Sequence, residues 1–297
     1  MSGASEMSSR PVSPVVIGAM LGLWLCWGSS FPAIRVMVTS LPPLISSGAI
    51  FLTAGVVLAA SRPHLLRTLD RGQYAVCAGV GAFLLGAQGS VAVAEQYVYA
   101  STAALLVAVT PLWVVLLRSA VGERPTRAGM ARLLVGFAGV AAVLLTSAGG
   151  GLGWSAWGLL VVAAAVSWAV GTLWASRSSL PDPRAAAAVQ LVCGGLLLLV
   201  LGTLGGELEE LVATPVRSSA WAAFGYLVVV DSLAGFVLYN WLLTTAPVAL
   251  VSTYAYAVPV VAYLVGVAVL GEPFHPPVLL GAAAIVAAVA AEVRSAR

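Results

Sequence analysis

The chain has 297 residues, of which 61% are hydrophobic and only 8% carry a charge, and its mean hydropathy is +1.02. So little charge excludes a soluble globular protein. The fourteen basic residues, all arginines, give a formal net charge of +3 and cluster in short loops, which indicates membrane topology and argues against nucleic-acid binding.

Apolar runs follow one another along the chain, separated by polar or Pro- and Gly-rich breaks. About 20 apolar residues suffice to cross a hydrocarbon core roughly 30 Å thick. After a polar tail at residues 1–14, we predict an all-α membrane protein with ten transmembrane helices. Their predicted ranges are 15–38, 44–61, 73–94, 101–118, 129–147, 155–176, 185–204, 219–243, 249–270 and 277–293.

The arginines orient these ten predicted spans. An even number of spans puts both termini on one side of the membrane, and twelve of the fourteen arginines fall on that side. Only Arg35 and Arg217 fall on the other side. Because cytoplasmic loops carry an excess of basic residues, we predict a multi-pass plasma-membrane protein with both termini in the cytoplasm.

Charged residues close the external ends of the first and third spans. Arg35 lies near the end of span one, and Glu95 ends span three at the same level. An ion pair between them would form only when this end is closed, so we interpret them as a candidate outer gate. A surface pair between two helix ends is the alternative, and exposed pairs stabilise little.

Matching features in the two halves indicate an internal repeat. The segments "VGERPTRAG" and "LGEPFHPPV" each follow a proline-containing helix, and "CWGSSFPAIR" corresponds to "SWAVGTLWASR". We predict five-helix repeats at residues 15–147 and 155–293. Five is odd, so the second repeat would be inverted, an arrangement typical of secondary transporters. Chance recurrence of Gly-Glu turns is the alternative, and Glu123 and Glu272 in these turns are expected to cap backbone N–H groups.

Aromatic, hydroxyl and amide side chains within the spans are candidates for lining a solute cavity. The repeat places Trp27, beside Ser30, and Trp168 in equivalent helices. The other candidates are Gln88, Gln190, Asn240 and Tyr254. The amides could instead bond a neighbouring helix. Proline removes a backbone hydrogen bond from a helix, so Pro32, Pro111 and Pro259 are candidate hinges.

Asp231 lies near the middle of the eighth span, in "YLVVVDSLAGFVLYNWLL". An ionisable group at this depth costs about 2.5–3.5 kcal/mol on insertion scales. Such a group therefore usually serves a function. We expect it to bind an ammonium group or to couple transport to protons. A carboxyl group that faces a water-filled crevice is the alternative.

Other chemistry is not supported by the residues. The three cysteines have neither paired spacing nor nearby histidine ligands, both histidines lie in loops, and no Walker motif is present. We therefore predict no enzyme activity, no metal and no cofactor. The expected partners are a small-molecule solute, the lipid bilayer and, as a further candidate, protons.

The ordered motifs "CWGSSFPAIRV", "VAEQYVYASTAALLVAVTPLW", "SWAVGTLWASR", "LYNWLL" and "STYAYAVPVVAYLVGVAVLGE" cover nearly the whole chain. In these it resembles the EamA-type exporters of the drug/metabolite transporter superfamily. The resemblance implies two inverted five-helix repeats around a central cavity lined by spans one, three, four, six, eight and nine. It also implies export of amino acids, their derivatives or similar metabolites.

Two departures bear on the cargo. Relatives often carry an arginine in the second span, where this chain reads "SSGAIFLTAG", and many have a small residue in place of Asp231. The added carboxylate favours an amine-bearing solute. We predict a secondary exporter of small amphipathic metabolites, most directly amino acids or derivatives, that works by alternating access. The alternative is a multidrug or cationic amine exporter coupled to protons.

Overall fold

A computed structural model of the protein describes residues 13–122, 126–147, 156–213, 215–246, 254–273 and 276–295. Nearly all of the predicted N-terminal tail and the Gly-Glu turn at Glu123 lie outside these ranges. Within them, every regular element is helical. This agrees with the all-α class predicted from composition.

The helices occur where the apolar runs predict them, with some of the runs divided into two or three segments. A π-helical segment, Leu227–Ala234, joins α12 to α13. The helices are α1 (Pro14–Gly28), α2 (Ser30–Met37), α3 (Pro43–Ser61), α4 (Pro63–Leu66), α5 (Arg71–Ala94), α6 (Ala100–Val107), α7 (Thr110–Ala120), α8 (Arg127–Ser147), α9 (Ala156–Ser176), α10 (Pro183–Leu204), α11 (Glu207–Ala213), α12 (Ser218–Tyr226), α13 (Gly235–Thr245), α14 (Tyr254–Leu270) and α15 (Pro276–Ser295).

By length and composition, seven helical stretches of the described chain could cross a membrane. They are Pro14–Met37, Pro43–Ser61, Arg71–Ala94, Ala100–Ala120, Ala156–Ser176, Pro183–Leu204 and Ser218–Tyr239. The helices α8, α14 and α15 lie where the sequence predicts the other three spans but are not among these seven. Ala257–Leu270 and Leu279–Ala288 are shorter apolar stretches within α14 and α15.

Two carboxylates cap helices that are distant in sequence. Glu207, at the start of α11, accepts hydrogen bonds from the backbone N–H groups of Leu44 and Ile45, at 2.9 and 2.8 Å to Oε2. Glu272, after α14, accepts from Ala100 at 2.8 Å and from Ser101 at 3.1 Å. Because the first N–H groups of a helix lack partners within it, these contacts stabilise the starts of α3 and α6. The capping predicted for Glu272 is confirmed.

Two of the spans are interrupted near a proline. The first breaks at Ser29, three residues before Pro32, and the Ser29 hydroxyl hydrogen-bonds the carbonyl of Leu25 and lies 2.7 Å from the Tyr226 hydroxyl. The fourth breaks between Val107 and Thr110, immediately before Pro111. A proline cannot donate the backbone hydrogen bond that would continue the helix, which favours breaks at these positions without requiring them.

Helices from the two halves of the chain pack against each other. The helix α3 lies along α10, α5 contacts α9 and α10, and α8 lies along α15. At the α3–α10 contact, a Cβ atom added to Gly48 would lie 2.8 Å from the carbonyl oxygen of Gly195, and one added to Gly195 would lie 2.9 Å from that of Gly48. The two backbones therefore approach as closely as small residues permit in membrane helix pairs.

The close approach predicts that Gly48→Ala lowers thermal stability, because the added methyl group meets backbone atoms that cannot move aside. Overpacking of this kind typically costs about 1–3 kcal/mol. The measurement is the unfolding midpoint of the detergent-solubilised protein. Gly86→Ala on α5 is the matched control, since no heavy atom lies within 4 Å of its added Cβ. An equal effect of both substitutions would contradict the close approach.

The cap at the start of α3 makes a separate prediction. Glu207→Ala removes the acceptor for two N–H groups and is expected to cost about 0.5–2 kcal/mol, the usual range for a lost cap. Glu209→Ala, on the same short helix but exposed, is expected to leave the unfolding midpoint unchanged. Chemical unfolding of both variants in the same detergent compares them directly. A midpoint for Glu207→Ala equal to that of the wild type would show that the cap contributes nothing.

Candidate functional site

Asp231 lies in the π-helical segment, within the span that runs from Ser218 to Tyr239. Its side chain is 8% exposed. The Ser232 hydroxyl lies 3.5 Å from Oδ2, and Ser30 on α2 lies within hydrogen-bonding reach of the same carboxylate. A π-helical turn inserts an extra residue into a helix and is frequent at functional sites. Asp231 is thus buried within the span, and its role in binding or proton coupling stays a prediction.

Asp231 and Gln88 face one narrow cavity between α2, α3, α5 and the π-helical segment. The cavity encloses about 10 Å³, close to the space that one water molecule needs. Its wall also includes Ser47, and its apolar lining consists of Ile34, Met37, Ile50, Phe51 and Leu227. The structure thus joins an acid, an amide and a hydroxyl inside an apolar wall, around a space that is too small for a solute in this conformation.

Three aromatic rings form a cluster about one to two helical turns from Asp231 along the eighth span. The ring centroid of Trp27 lies 5.1 Å from that of Tyr239 and 5.0 Å from that of Tyr254, and the two tyrosine rings are 5.8 Å apart. Aromatic faces attract cations, and this attraction strengthens when water is excluded. Such rings are the kind of surface that binds an organic ammonium group.

The position of Trp27 depends on Gly235, one turn after Asp231. A Cβ atom added to Gly235 would lie 2.5 Å from Nε1 of Trp27, so the indole rests directly on the helix backbone. Ser30 links the two features: its hydroxyl donates to the carbonyl of Trp27 at 2.7 Å. A hydroxyl group has one proton to donate, so Ser30 can serve either this carbonyl or the Asp231 carboxylate.

The two predicted gate residues meet at the other end of α2, although their side chains form no ion pair. A guanidinium nitrogen of Arg35 donates to the backbone carbonyl of Glu95. The Glu95 carboxylate is fully buried, and neither oxygen has a hydrogen-bond donor among the described residues. Arg35 thus caps the end of α5 in this conformation, where a helix presents unpaired carbonyl groups.

The remaining predicted site residues lie apart from this cavity or outside the described side chains. Trp168 packs into the apolar core around α6 and α9. Gln190 lies on α10, where its backbone contacts Gly81 of α5. Pro259 lies within α14, which continues through it without a break. Asn240 belongs to α13, but its side chain is outside the described part of the structure.

Two contributors to the site were not predicted as site residues. Tyr239 follows Asp231 by eight residues and Gly235 by four, a spacing that places all three near one helix face. That spacing was available from the sequence. Ser47 lies in a run of small residues on α3, and no sequence pattern separates it from the residues that serve packing alone.

Comparison with known proteins shows the family of the chain. The model of the EamA-like transporter family matches residues 15–145 and, a second time, residues 155–292. The chain is 34% identical over 271 residues to a protein of Escherichia coli (strain K12) named "Uncharacterized inner membrane transporter YedA". That match covers 90% of this chain and 86% of the E. coli protein.

A second relative has a more specific name. The chain is 32% identical over 277 residues to a protein of Streptantibioticus cattleyicolor named "Probable terminal-alkyne amino-acid exporter", a match that covers 89% of this chain and 88% of the relative. The family and these relatives are described as transporters and not as enzymes.

The fold also matches a solved structure, titled "Crystal structure of protein". The TM-score is 0.64 at 21% sequence identity, and the match covers 96% of this chain and 98% of the other. At this identity the likeness shows the fold alone. Together with the two family matches and the apolar helices, it leads to one conclusion: the chain belongs to the EamA-like transporter family and is a multi-pass membrane transporter.

Proposed function

We propose that the protein is a secondary transporter that exports small amphipathic metabolites, in particular amino acids or their derivatives. The observation that carries this proposal is the buried Asp231 carboxylate, which faces a cavity shared with Gln88 and lies about one to two helical turns from the Trp27 aromatic cluster. A carboxylate held at this depth serves packing poorly, because its desolvation is costly. It suits recognition of a cationic group by charge and by aromatic faces together.

The amino-acid class rests on two supports. Amino acids and their derivatives commonly carry an ammonium group, which Asp231 would bind, together with polar groups that Gln88, Ser47 or Ser30 could reach. The relative from Streptantibioticus cattleyicolor is named as a probable amino-acid exporter, so a member of this family with similar length carries that description.

The proposed architecture has ten spans in two inverted five-helix repeats, at residues 15–147 and 155–293. Helix packing supports this arrangement. In the two halves, α1 corresponds to α9, α5 to α13 and α7 to α14. The contact of α5 with α9 then has its counterpart in the contact of α13 with α1, and the contact of α7 with α9 has its counterpart in that of α14 with α1. All four contacts are present. The pairs α3 with α10 and α8 with α15 are their own counterparts. Repeats related in this way create a site between them.

The proposed topology places both termini in the cytoplasm and the protein in the plasma membrane. It rests on the twelve arginines that fall on one side of the ten predicted spans. On this topology the contact of Arg35 with Glu95 and the cap that Glu272 forms on α6 lie at the external end of the transport path. Asp231 lies between that end and the cytoplasm.

Alternating access would use the interrupted spans. The break at Ser29 separates α1, with Trp27, from α2, with Ser30 and Arg35, so rotation of α2 would move the outer gate and the solute site together. The break before Pro111 provides a second flexible point, in the fourth span. Hinges of this type absorb a domain or helix motion in a few residues.

A multidrug or cationic amine exporter coupled to protons is the second candidate. The same carboxylate and aromatic cluster favour it, because they recognise an ammonium group without requiring an amino-acid carboxylate. Within the described residues, the cavity lining contains no cation that would pair with such a carboxylate. The two candidates differ in whether zwitterions or simple amines are transported.

The test uses purified protein in liposomes and a panel of labelled amino acids, amines, nucleosides and sugars. Counterflow exchange is measured with and without a pH gradient, and empty liposomes provide the background. Exchange of amino acids above that of simple amines supports the first candidate, and the reverse order supports the second. Exchange of no member of the panel would overturn both candidates.

A further inference from the structure

Glu95 is the buried acid that the solute site does not use. Its side chain has no exposed surface, and neither carboxylate oxygen accepts a hydrogen bond from the described residues. Buried polar atoms in folded proteins are nearly always hydrogen-bonded, and an unpaired buried carboxylate is especially costly. Such a group requires an explanation in terms of what it binds.

The charged neighbours of Glu95 are both accounted for. Arg35, on α2, donates to the backbone carbonyl of Glu95 and not to its carboxylate. Glu272, after α14, is held by the N–H groups of Ala100 and Ser101 at the start of α6. The helices α6 and α14 themselves contain no ionisable residue other than tyrosine.

The two acids differ in the donors that reach them. The Glu272 carboxylate accepts hydrogen bonds from two backbone N–H groups at the N-terminus of α6. Glu95 lacks such donors: burial raises the pKa of its carboxyl group, the nearby Glu272 raises it further, and the Arg35 guanidinium opposes both. A proton on Glu95 removes the need for a partner that the described residues do not supply.

We propose that Glu95 is a proton-binding site at the external end of the transport path, and that Arg35 changes its hydrogen-bond partner according to the charge of Glu95. With Glu95 protonated, Arg35 binds the Glu95 carbonyl, as observed. When the O–H bond breaks and the proton passes to external water, the guanidinium moves from the carbonyl to the carboxylate of the same residue. The proposal rests on the proposed transport function, whose outer gate it makes sensitive to external pH.

This change of partner would act on the solute site through α2. Arg35 and Ser30 lie on this one short helix, which contacts α6, α14 and the π-helical segment. A shift of Arg35 by the distance between a carbonyl and its own side-chain carboxylate would reorient α2 about the break at Ser29. Ser30, next to Asp231, moves with it. External proton release and solute access at Asp231 would thus share one rigid element.

The first experiment needs no transported solute. Infrared spectra of the full-length protein in lipid nanodiscs are recorded across a pH series, and the C=O band of protonated carboxylic acids is followed. The wild type is expected to show a component at neutral pH that is lost in Glu95→Gln and shifted in Glu95→Asp. Asp231→Asn controls for a component from the other buried acid, and Glu209→Gln, at an exposed site, is expected to change nothing.

The second readout is the effect of external pH on counterflow exchange in proteoliposomes. Wild-type exchange is expected to vary with external pH, whereas Glu95→Gln loses that dependence and retains exchange. Arg35→Ala is expected to lose the dependence as well while keeping the infrared component of Glu95. Glu95→Asp retains an acid and serves if the glutamine variant elutes as an aggregate in size-exclusion chromatography.

Three outcomes would overturn the proposal. One is a carboxylic acid band that neither Glu95 variant alters. Another is a band that appears only after Na⁺ is removed, which would make the site a cation site. The third is a response of exchange to external pH that is the same in Glu95→Gln and Arg35→Ala as in the wild type. The pH-dependent band of Glu95 without transport of any solute would refute the exporter and leave the proton site standing.

Discussion

Replacing Asp231 with asparagine is expected to weaken the binding of amine-bearing solutes by about 10- to 100-fold. The estimate follows from the worth of a hydrogen bond to a charged group, about 1.5–3 kcal/mol, with each 1.4 kcal/mol equal to about tenfold in affinity. Asparagine has nearly the same volume and keeps hydrogen bonding to Ser30 and Ser232 possible, so the loss reports charge and not packing. Counterflow exchange at varied solute concentration measures it.

The same variant separates the two roles proposed for Asp231. If the carboxylate binds an ammonium group, Asp231→Asn raises the half-saturating concentration for amines and leaves neutral members of the panel unaffected. If it carries the coupled proton, pH-driven uptake is abolished while counterflow exchange survives. Glu209→Gln, which removes an exposed carboxylate, is the matched control. Retention of both activities by Asp231→Asn would remove Asp231 from the mechanism.

Gly235→Val is expected to reduce exchange by about tenfold or more, although no chemical group of the site is removed. The new side chain begins 2.5 Å from Nε1 of Trp27, so the indole must leave its place on the helix backbone. Overpacking typically costs about 1–3 kcal/mol, and here part of the strain would displace Trp27 from Tyr239 and Tyr254. Initial exchange rates and the fluorescence of the detergent-solubilised protein measure the two consequences.

A matched glycine in the same span controls for helix propensity. Gly225 is exposed on α12, and no heavy atom lies within 4 Å of a Cβ atom added to it, so Gly225→Val is expected to retain wild-type exchange. Removing the indole supplies a second check. The double variant Trp27→Ala with Gly235→Val should relieve the collision and be more stable than Gly235→Val alone. Additive losses of stability would show that the two residues do not press on each other.

The proposed mechanism joins these two predictions. Asp231, Gly235 and Tyr239 lie along one face of the interrupted eighth span, and Trp27 and Ser30 lie on either side of the break in the first span. A solute that neutralises Asp231 would change what the Ser30 hydroxyl binds. The π-helical segment and the helix break place irregular backbone on both sides of this exchange.

Several features of the site were predictable from the sequence because each is rare in its setting. A carboxyl group in an apolar span requires a special environment wherever the fold places it, which is why Asp231 could be identified. That Glu272 caps backbone N–H groups was predictable from its tight turn, but the helix that it caps begins 172 residues earlier in the chain and was not predictable. Trp27 and Tyr254 were predicted to line a cavity; the structure brings their rings together, apart from the lining of the cavity at Asp231.

Other features could not be predicted because they depend on contacts between distant helices. Trp27 and Trp168 hold equivalent places in the repeat, yet Trp27 joins the aromatic cluster and Trp168 packs into the core. Arg35 and Glu95 were expected to pair through their side chains, whereas the Arg35 guanidinium donates a hydrogen bond to the backbone carbonyl of Glu95. Pro259 lies in an unbroken helix, while breaks occur near Pro32 and Pro111.

The sequence by itself determined the class of protein, its apolar helices and their approximate ends, and the identity of the unusual acid. These follow from hydropathy and local turn chemistry, which act over a few residues at a time. Only the tertiary structure decided which polar groups share a cavity, which acid is left without donors and which proline positions break a helix. Those outcomes depend on contacts between residues far apart in the chain, such as Ser29 and Tyr226, which are 197 residues apart, and no local pattern encodes them.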